Sequence, residues 1–232
     1  MHLSPRALYN ILSDAGVTKL HHANSIITAS SFLRNGQLIS RGSLERNKGL
    51  QSEQYTDSDD KRYSVWFDVF TDSVDIHKRA KRINKYGPVL FELDLEILKN
   101  GGTGKVWLSK LNPSKWSGKS YSERWFTSKK DVEENFVYGR FDQMIIFRHC
   151  GGSLDIKNHL NKIILDDPNI HLTDRKVDLY SMAYGALKLS MSEGGIDIPI
   201  EKRSCHRNCT CEKYYDENFD DHTIKMFYPE II

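Results

Sequence analysis

Residues 17–46, VTKLHHANSIITASSFLRNGQLISRGSLER, constrain the fold more tightly than any other stretch. Residues 17–22 form a short mixed run that suits a strand. Asn24 or Ser25 can cap a following helix, because either side chain can accept from the orphan amides of a first helical turn. Ile26, Ala29, Phe32 and Leu33 recur at helical spacing and give that helix one apolar face. Asn35-Gly36 closes it, since glycine tolerates the left-handed conformation of a helix end. Leu38 and Ile39 then open an extended segment that ends at Arg41. The polar groups His21, His22, Asn24, Arg41 and Arg46 thus gather at the ends of packed elements, where a rigid scaffold can aim them into a cleft.

A chain of 232 residues with 39% hydrophobic content suffices for one large domain, or a domain with an appendage. The net charge of +2 does not announce a nucleic-acid partner, so any basic surface must be local. No apolar run approaches the roughly 20 residues of a membrane span. The first residues, MHLSPRALYNILSDAG, are amphipathic and carry no signal-peptide core. A soluble, cytoplasmic protein without membrane contact is expected. Ser4-Pro5 opens a helix in a favoured way, with Leu8, Ile11 and Leu12 inward and Gly16 at its end.

Residues 42–61 are polar and read either as a surface loop or, given their length, as a functional cover. YSVWFDVF, residues 63–70, reads as a strand with Val65, Phe67 and Val69 on one face and Ser64, Trp66, Asp68 and Phe70 on the other. Residues 73–85 suit a helix capped by Ser73 or Asp72. Its cations Lys78, Arg79, Lys81, Arg82 and Lys85 lack acidic partners at helical spacing, so this face is either solvated or holds phosphates. VLFELDL (89–95), QMIIF (143–147) and LNKIILD (160–166) are buried strands. KNGGTG (99–104) is a turn with neither the Walker spacing nor the dinucleotide fingerprint. Trp107, Trp116, Tyr121, Trp125 and Phe126 stand among cations and suit either stacking on unpaired bases or satellite packing. Residues 128–136 form a helix. A longer one starts at Thr173, carries Val177, Tyr180, Tyr184, Leu187 and Met191 on its inner stripe, and stops at Gly194-Gly195.

This organisation resembles the DarT-like ADP-ribosyltransferases. In that family a His-bearing strand leads into a helix and then a Gly-Leu-Leu-Ser-Arg-like step, which here is GQLISR, residues 36–41. The resemblance extends to about residue 165. Within it, the nearest type is the RNA-modifying toxin of bacterial phage-defence toxin–antitoxin systems. It implies an α/β (α+β) fold with a split, mixed, mostly antiparallel sheet and peripheral helices. It implies a mono-ADP-ribosyltransferase that uses NAD to modify nucleic acid, RNA or single-stranded DNA, and is neutralised by an antitoxin protein. His21, Asn24, Arg41 and Tyr63 or Trp66 would bind the cofactor, and Lys78, Arg79, Lys81 and Arg82 would hold the nucleic acid. The family's catalytic Glu falls on Gln143 here, with Arg41 beside it in the reaction. An amide can hold a ribose hydroxyl but cannot act as general base. The enzyme therefore uses Asp142 or Glu134 instead, has lost catalysis, or carries Gln143 in place of a native Glu.

The four cysteines are Cys150 alone and the trio Cys205, Cys209 and Cys211. That is a poor disulfide framework and a better metal hint. The trio could bind zinc with His206 or His222 as fourth ligand. The expected organisation is a domain over 1–195 and a Cys-containing tail over 196–232. Two other readings stay open: a non-catalytic nucleic-acid-binding module, and a metal-free ribonuclease using His21 or His22 with Arg41.

Overall fold

The computed structural model describes residues 4–99, 105–172, 177–205, 207–217 and 225–227. Helix α1 (Pro5–Asp14) starts at Ser4, whose hydroxyl accepts from the Ala7 amide, and buries Leu8, Ile11 and Leu12. Strand β1 (Lys19–Asn24) passes through Ser25 into α2 (Ile26–Asn35), which Gly36 stops at φ 65°. Strand β2 (Gln37–Ile39) follows, and Ser40 caps α3 (Arg41–Arg46) by accepting from the Ser43 amide. The strand–helix–strand order is the expected one, but Arg41 begins a helix and does not end a strand. Next come α4 (Asp57–Arg62), β3 (Val69–Thr71), α5 (Ile76–Ala80), β4 (Val89–Asp94) and β5 (Lys105–Leu108). They are followed by α6 (Tyr121–Arg124), α7 (Lys129–Asn135), β6 (Ile145–Arg148), β7 (Ser153–Asp155) and β8 (Leu160–Leu165). The chain closes with β9 (His171–Leu172), β10 (Val177–Asp178), α8 (Leu179–Gly194), β11 (Ile200–Lys202) and α9 (Cys211–Glu217).

The fold is mixed α/β, with several mostly antiparallel sheets and peripheral helices. The largest sheet runs β1-β4-β8-β11, antiparallel except for the parallel β8–β11 pair. A second, fully antiparallel sheet runs β3-β6-β5. Among the described residues, one backbone pair joins the two: the His21 amide donates to the Asp72 carbonyl at 2.9 Å, and the Asp72 amide returns a bond to His21 at 2.8 Å. Residues after 195 share the main core, because Cys211, Tyr215, Met226 and Phe227 pack into the same buried cluster as β4 and β8.

Three elements differ from the sequence expectation, each for a local reason. Residues 63–68 turn and do not extend; only 69–71 are strand. Ser64 sits at φ 58°, the Val65 amide bonds back to Asp60, and Val65 and Trp66 are both buried, which one strand facing one core cannot achieve. Over 73–85 only α5 is helical: Asp75, not Ser73 or Asp72, caps it, and Lys81 at φ 54° ends it. Asp178 caps α8, while Thr173 lies outside the described residues. Its buried face is Leu179, Ala183, Leu187, Ser190, Met191 and Gly194, with Tyr184 37% exposed. Small residues, not the largest apolar ones, mark this face because α8 lies close against α2.

That close approach is testable. A Cβ on Gly194 would overlap the carbonyl oxygen of Leu33, whereas a Cβ on Gly185 of the same helix meets nothing. Gly194→Ala should destabilise the protein by about 1–3 kcal/mol through overpacking. Gly185→Ala should leave stability unchanged or raise it by up to about 1 kcal/mol through helix propensity. Urea unfolding of the two variants side by side checks the contrast.

Candidate functional site

Beyond the His21–Asp72 pair, β1 and β3 diverge. The gap is a cleft open to solvent, walled by residues 22–24 on one side and 68–70 on the other. His22 spans the fork: its Nδ1 lies 2.7 Å from the Phe70 carbonyl oxygen. A carbonyl only accepts, so Nδ1 carries the proton and Nε2 presents a lone pair, 3.4 Å from the Asn24 side-chain amide. Burial lowers the His22 pKa and keeps the ring neutral. Asn24 is itself held, its Oδ1 accepting from the Ser25 amide at 3.0 Å and from Gln54 at 3.3 Å. Gly87 packs so tightly behind it that a Cβ there would overlap the Asn24 backbone.

The polar stretch 42–61 supplies a third wall and is not a free surface loop. Hydroxyls along α2 fasten it: Ser25 Oγ meets Ser52 Oγ at 2.7 Å, Thr28 accepts from the Ser52 amide, and Ser31 donates to the Leu50 carbonyl. Arg41 lines the cleft and pins the same loop. Its Nε and Nη2 grip Asp57 at 2.9 and 2.5 Å, and Nη1 donates to the Ser52 carbonyl at 2.6 Å. Three of its five N–H groups are thereby committed, leaving two for a ligand.

Three carboxyls line the same cleft, and none was singled out as a site residue from the sequence: Asp60, Asp68 and Asp72. Burial pushes all three up to about 7. The neighbouring Asp57 charge adds to the effect at Asp60, and Arg148 opposes it at Asp68. Arg148 Nε lies 2.9 Å from Asp68 Oδ2, but its N–H is not aimed along that line, so the pair is ionic without being a hydrogen bond. Asp72 makes no side-chain hydrogen bond or ion pair with a described residue. Perturbed acids converging on a pocket are a mark of functional sites. One sequence signal pointed to Asp68: it is the lone acid in the apolar run YSVWFDVF.

Other expected site residues lie elsewhere. His21 points to the opposite side of β1 from His22 and is not part of the cleft lining; burial lowers its pKa to about 4, against the opposing Asp75 charge. Tyr63 and Trp66 are also outside the lining. Tyr63 packs edge-on to Trp116 at 5.5 Å, and Trp66 Nε1 donates to Glu45 at 2.8 Å. Trp116 and Trp125 form a buried second core with Val65, Met144 and Ile146, and the half-buried Trp107 packs against it, so these rings pack on one another. The cleft's own aromatics are Phe32, Phe70 and Tyr86.

Gln143 is 3% exposed and faces away from the cleft, into the loop after α7. Its Oε1 accepts from the Val137 amide at 2.7 Å and its Nε2 donates to the Asn135 carbonyl at 3.0 Å. An amide, with one acceptor and one donor end, fits this site; a carboxylate does not. Asp142 pairs with Lys115 at 2.9 Å and Glu134 with Lys130 at 3.6 Å, both outside the cleft. Lys78, Arg79, Lys81 and Arg82 are exposed and form no ion pair with a described residue.

The cysteine trio gathers around a histidine from a distant element. Ligand atoms of His77, Cys205, Cys209 and Cys211 lie within 4.8 Å of one another, a group able to coordinate a metal ion. His206 and His222 lie outside the described residues. Among the described residues, no helix is long and apolar enough to cross a membrane. No protein-family model and no curated protein matches the chain.

Two outcomes follow from this geometry. Gln143→Glu should destabilise the fold by about 1–3 kcal/mol at neutral pH, because it sets a carboxylate oxygen against the Asn135 carbonyl and removes that carbonyl's donor. Urea unfolding of the variant checks it. The second concerns the raised carboxyls, whose folded pKa values of about 7 exceed the ordinary 3.8. Between these values the folded chain binds more protons than the unfolded one, so stability falls as pH rises through that window. Asp72→Asn should flatten this fall and gain at least about 1 kcal/mol at pH 8 relative to pH 5. An identical pH slope in the variant would show that Asp72 is ionised throughout.

Proposed function

We propose that the chain is a mono-ADP-ribosyltransferase that consumes NAD and modifies nucleic acid, RNA in the first instance, as a toxin held in check by a neutralising partner protein. The observation that carries this reading is the cleft at the β1–β3 fork. It gathers His22, Asn24, Ser40 and Arg41 of the 17–46 motif with three protonatable carboxyls. The fork itself supports the ADP-ribosyltransferase-like form of split sheet.

In this reading His22 takes the role that the sequence assigned to His21. Its Nε2 lone pair and the Asn24 amide face the cofactor's ribose and nicotinamide amide, and the two uncommitted N–H groups of Arg41 face phosphate. Phe70 or Tyr86 stacks on the ring in place of Tyr63 or Trp66. The nicotinamide leaves from an oxocarbenium-like ribose, whose positive charge needs an anion close by. Asp72, with no side-chain hydrogen bond or ion pair among the described residues and a pKa pushed up to about 7 by burial, supplies that anion once deprotonated and can accept the nucleophile's proton. Transfer should therefore rise with pH through about 7. The exposed cations Lys78, Arg79, Lys81 and Arg82 support a nucleic-acid acceptor.

RNA incubated with the protein should gain the mass of one ADP-ribose when NAD is present and stay unchanged without it. Asp72→Asn should lower transfer by about 10²–10⁴-fold while calorimetry still reports NAD binding, and Asn24→Ala should lose that binding heat. RNA shortened without NAD would replace this reading with a ribonuclease; RNA bound but unaltered in both conditions would leave a binding module. Charge reversal at Arg79 and Arg82 should flatten the salt dependence of RNA affinity, because fewer counterions are released. An unchanged slope would return that surface to solvent.

A further inference from the structure

The geometry points to a structural zinc site built by His77 of α5 with Cys205, Cys209 and Cys211, which clasps the C-terminal segment onto the element that follows Asp72. It stands independently of the activity proposed above. The His77 Nε2 lies 3.3 Å from the Cys209 sulfur and 3.5 Å from the Cys205 sulfur, and the Cys205 and Cys211 sulfurs are 3.3 Å apart. Four ligands at ordinary zinc–nitrogen and zinc–sulfur bond lengths occupy the corners of a tetrahedron with edges of about 3.5–3.8 Å. The four donor atoms already stand close to such corners. The three cysteines are free thiols, and the Cys205–Cys211 sulfur separation exceeds a disulfide bond length. With four protein donors and no open position, the site is of the structural kind.

A second observation singles out His77. Its Nδ1 lies 3.0 Å from Oδ2 of Asp166, a carboxylate only 2% exposed, so the ring is fixed with Nε2 toward the sulfurs. A carboxylate behind the histidine is the usual outer support of a zinc ligand. Asp166 also accepts from the Tyr215 hydroxyl at 2.9 Å and pairs with Arg203, whose Nη1 reaches Asp75 at 2.6 Å. Asp75 caps α5 three positions after the Asp72 of the cleft. The Thr210 amide closes the clasp by donating to the Lys81 carbonyl at 3.0 Å. The zinc clasp therefore ties Arg203, Cys205 and residues 209–215 to α5, whose capping Asp75 lies three positions beyond the cleft's Asp72.

The test is elemental analysis of the full chain, purified under reducing conditions without chelator. About one zinc per chain is expected. His77→Ala and Cys209→Ser should lose it, while His206→Ala and His222→Ala keep it. His77→Cys, which retains four donors, should also keep it, so misfolding of the alanine variant cannot imitate the result. Cobalt in place of zinc should give a tetrahedral visible spectrum with a thiolate charge-transfer band. On chelation, hydrogen exchange should speed up together in 76–81 and 203–217 and stay slow in β5 and β6. Metal-free protein with all thiols reduced would overturn the proposal, as would retention of zinc by His77→Ala with loss in His206→Ala or His222→Ala.

Discussion

The reciprocal backbone pair between His21 and Asp72 fixes the rest of the site. Among the described residues, it is the one backbone pair by which the β1 edge of the large sheet meets the second sheet. Had the pairing continued, β1 and β3 would form a continuous sheet and the polar ends of both strands would bond to each other. Stopping after one pair leaves backbone and side-chain polar groups of 22–24 facing those of 68–70 across open space. His22 then bridges the gap with a side chain where a ladder would have used the backbone. The cleft is thus an interrupted sheet, and its polarity follows from the interruption.

Burial without full pairing is the second constraint. The cleft acids sit where water is scarce and cationic partners are few, so they bind protons far more readily than surface carboxyls do. The contrast with Asp166 is instructive. That carboxylate is buried too, but His77 and Arg203 hold its pKa below the ordinary range despite its burial, and the Tyr215 hydroxyl donates to it as well. One fold therefore keeps one acid ionised as a strut and leaves others poised near neutrality. The difference lies in whether donors are supplied.

Local signals carried the first half of the site well. The apolar spacing of α2, its Gly36 stop and the short strand after it are encoded within a few residues, so the sequence shows them directly. The length of α5 was not legible, because Lys81 adopts a left-handed turn that nothing in its side chain demands. Nor was the buried face of α8, where close packing against α2 favours Ala183, Ser190 and Gly194 over the larger residues that periodicity selects. The structural role of Gln143 depends on a loop folding back over it. The cysteine trio was visible from its spacing, but His77 is 128 residues away from Cys205 and no local pattern could join them.

The seam between α2 and the 50–52 segment is made of hydroxyls meeting hydroxyls and backbone groups. Each such bond is worth only about 0.5–1.5 kcal/mol net, because water offers a near-equal partner when it breaks. A seam of this kind resembles a zip fastener more than a weld. It can part tooth by tooth and close again, with no large apolar surface to dewet. The sheets on either side are locked by buried aliphatic packing. The third wall of the cleft is thus fastened to α2 by hydroxyls and to α3 by the Arg41 grip on Asp57 and Ser52, a polar fastening on a scaffold whose other joints are apolar.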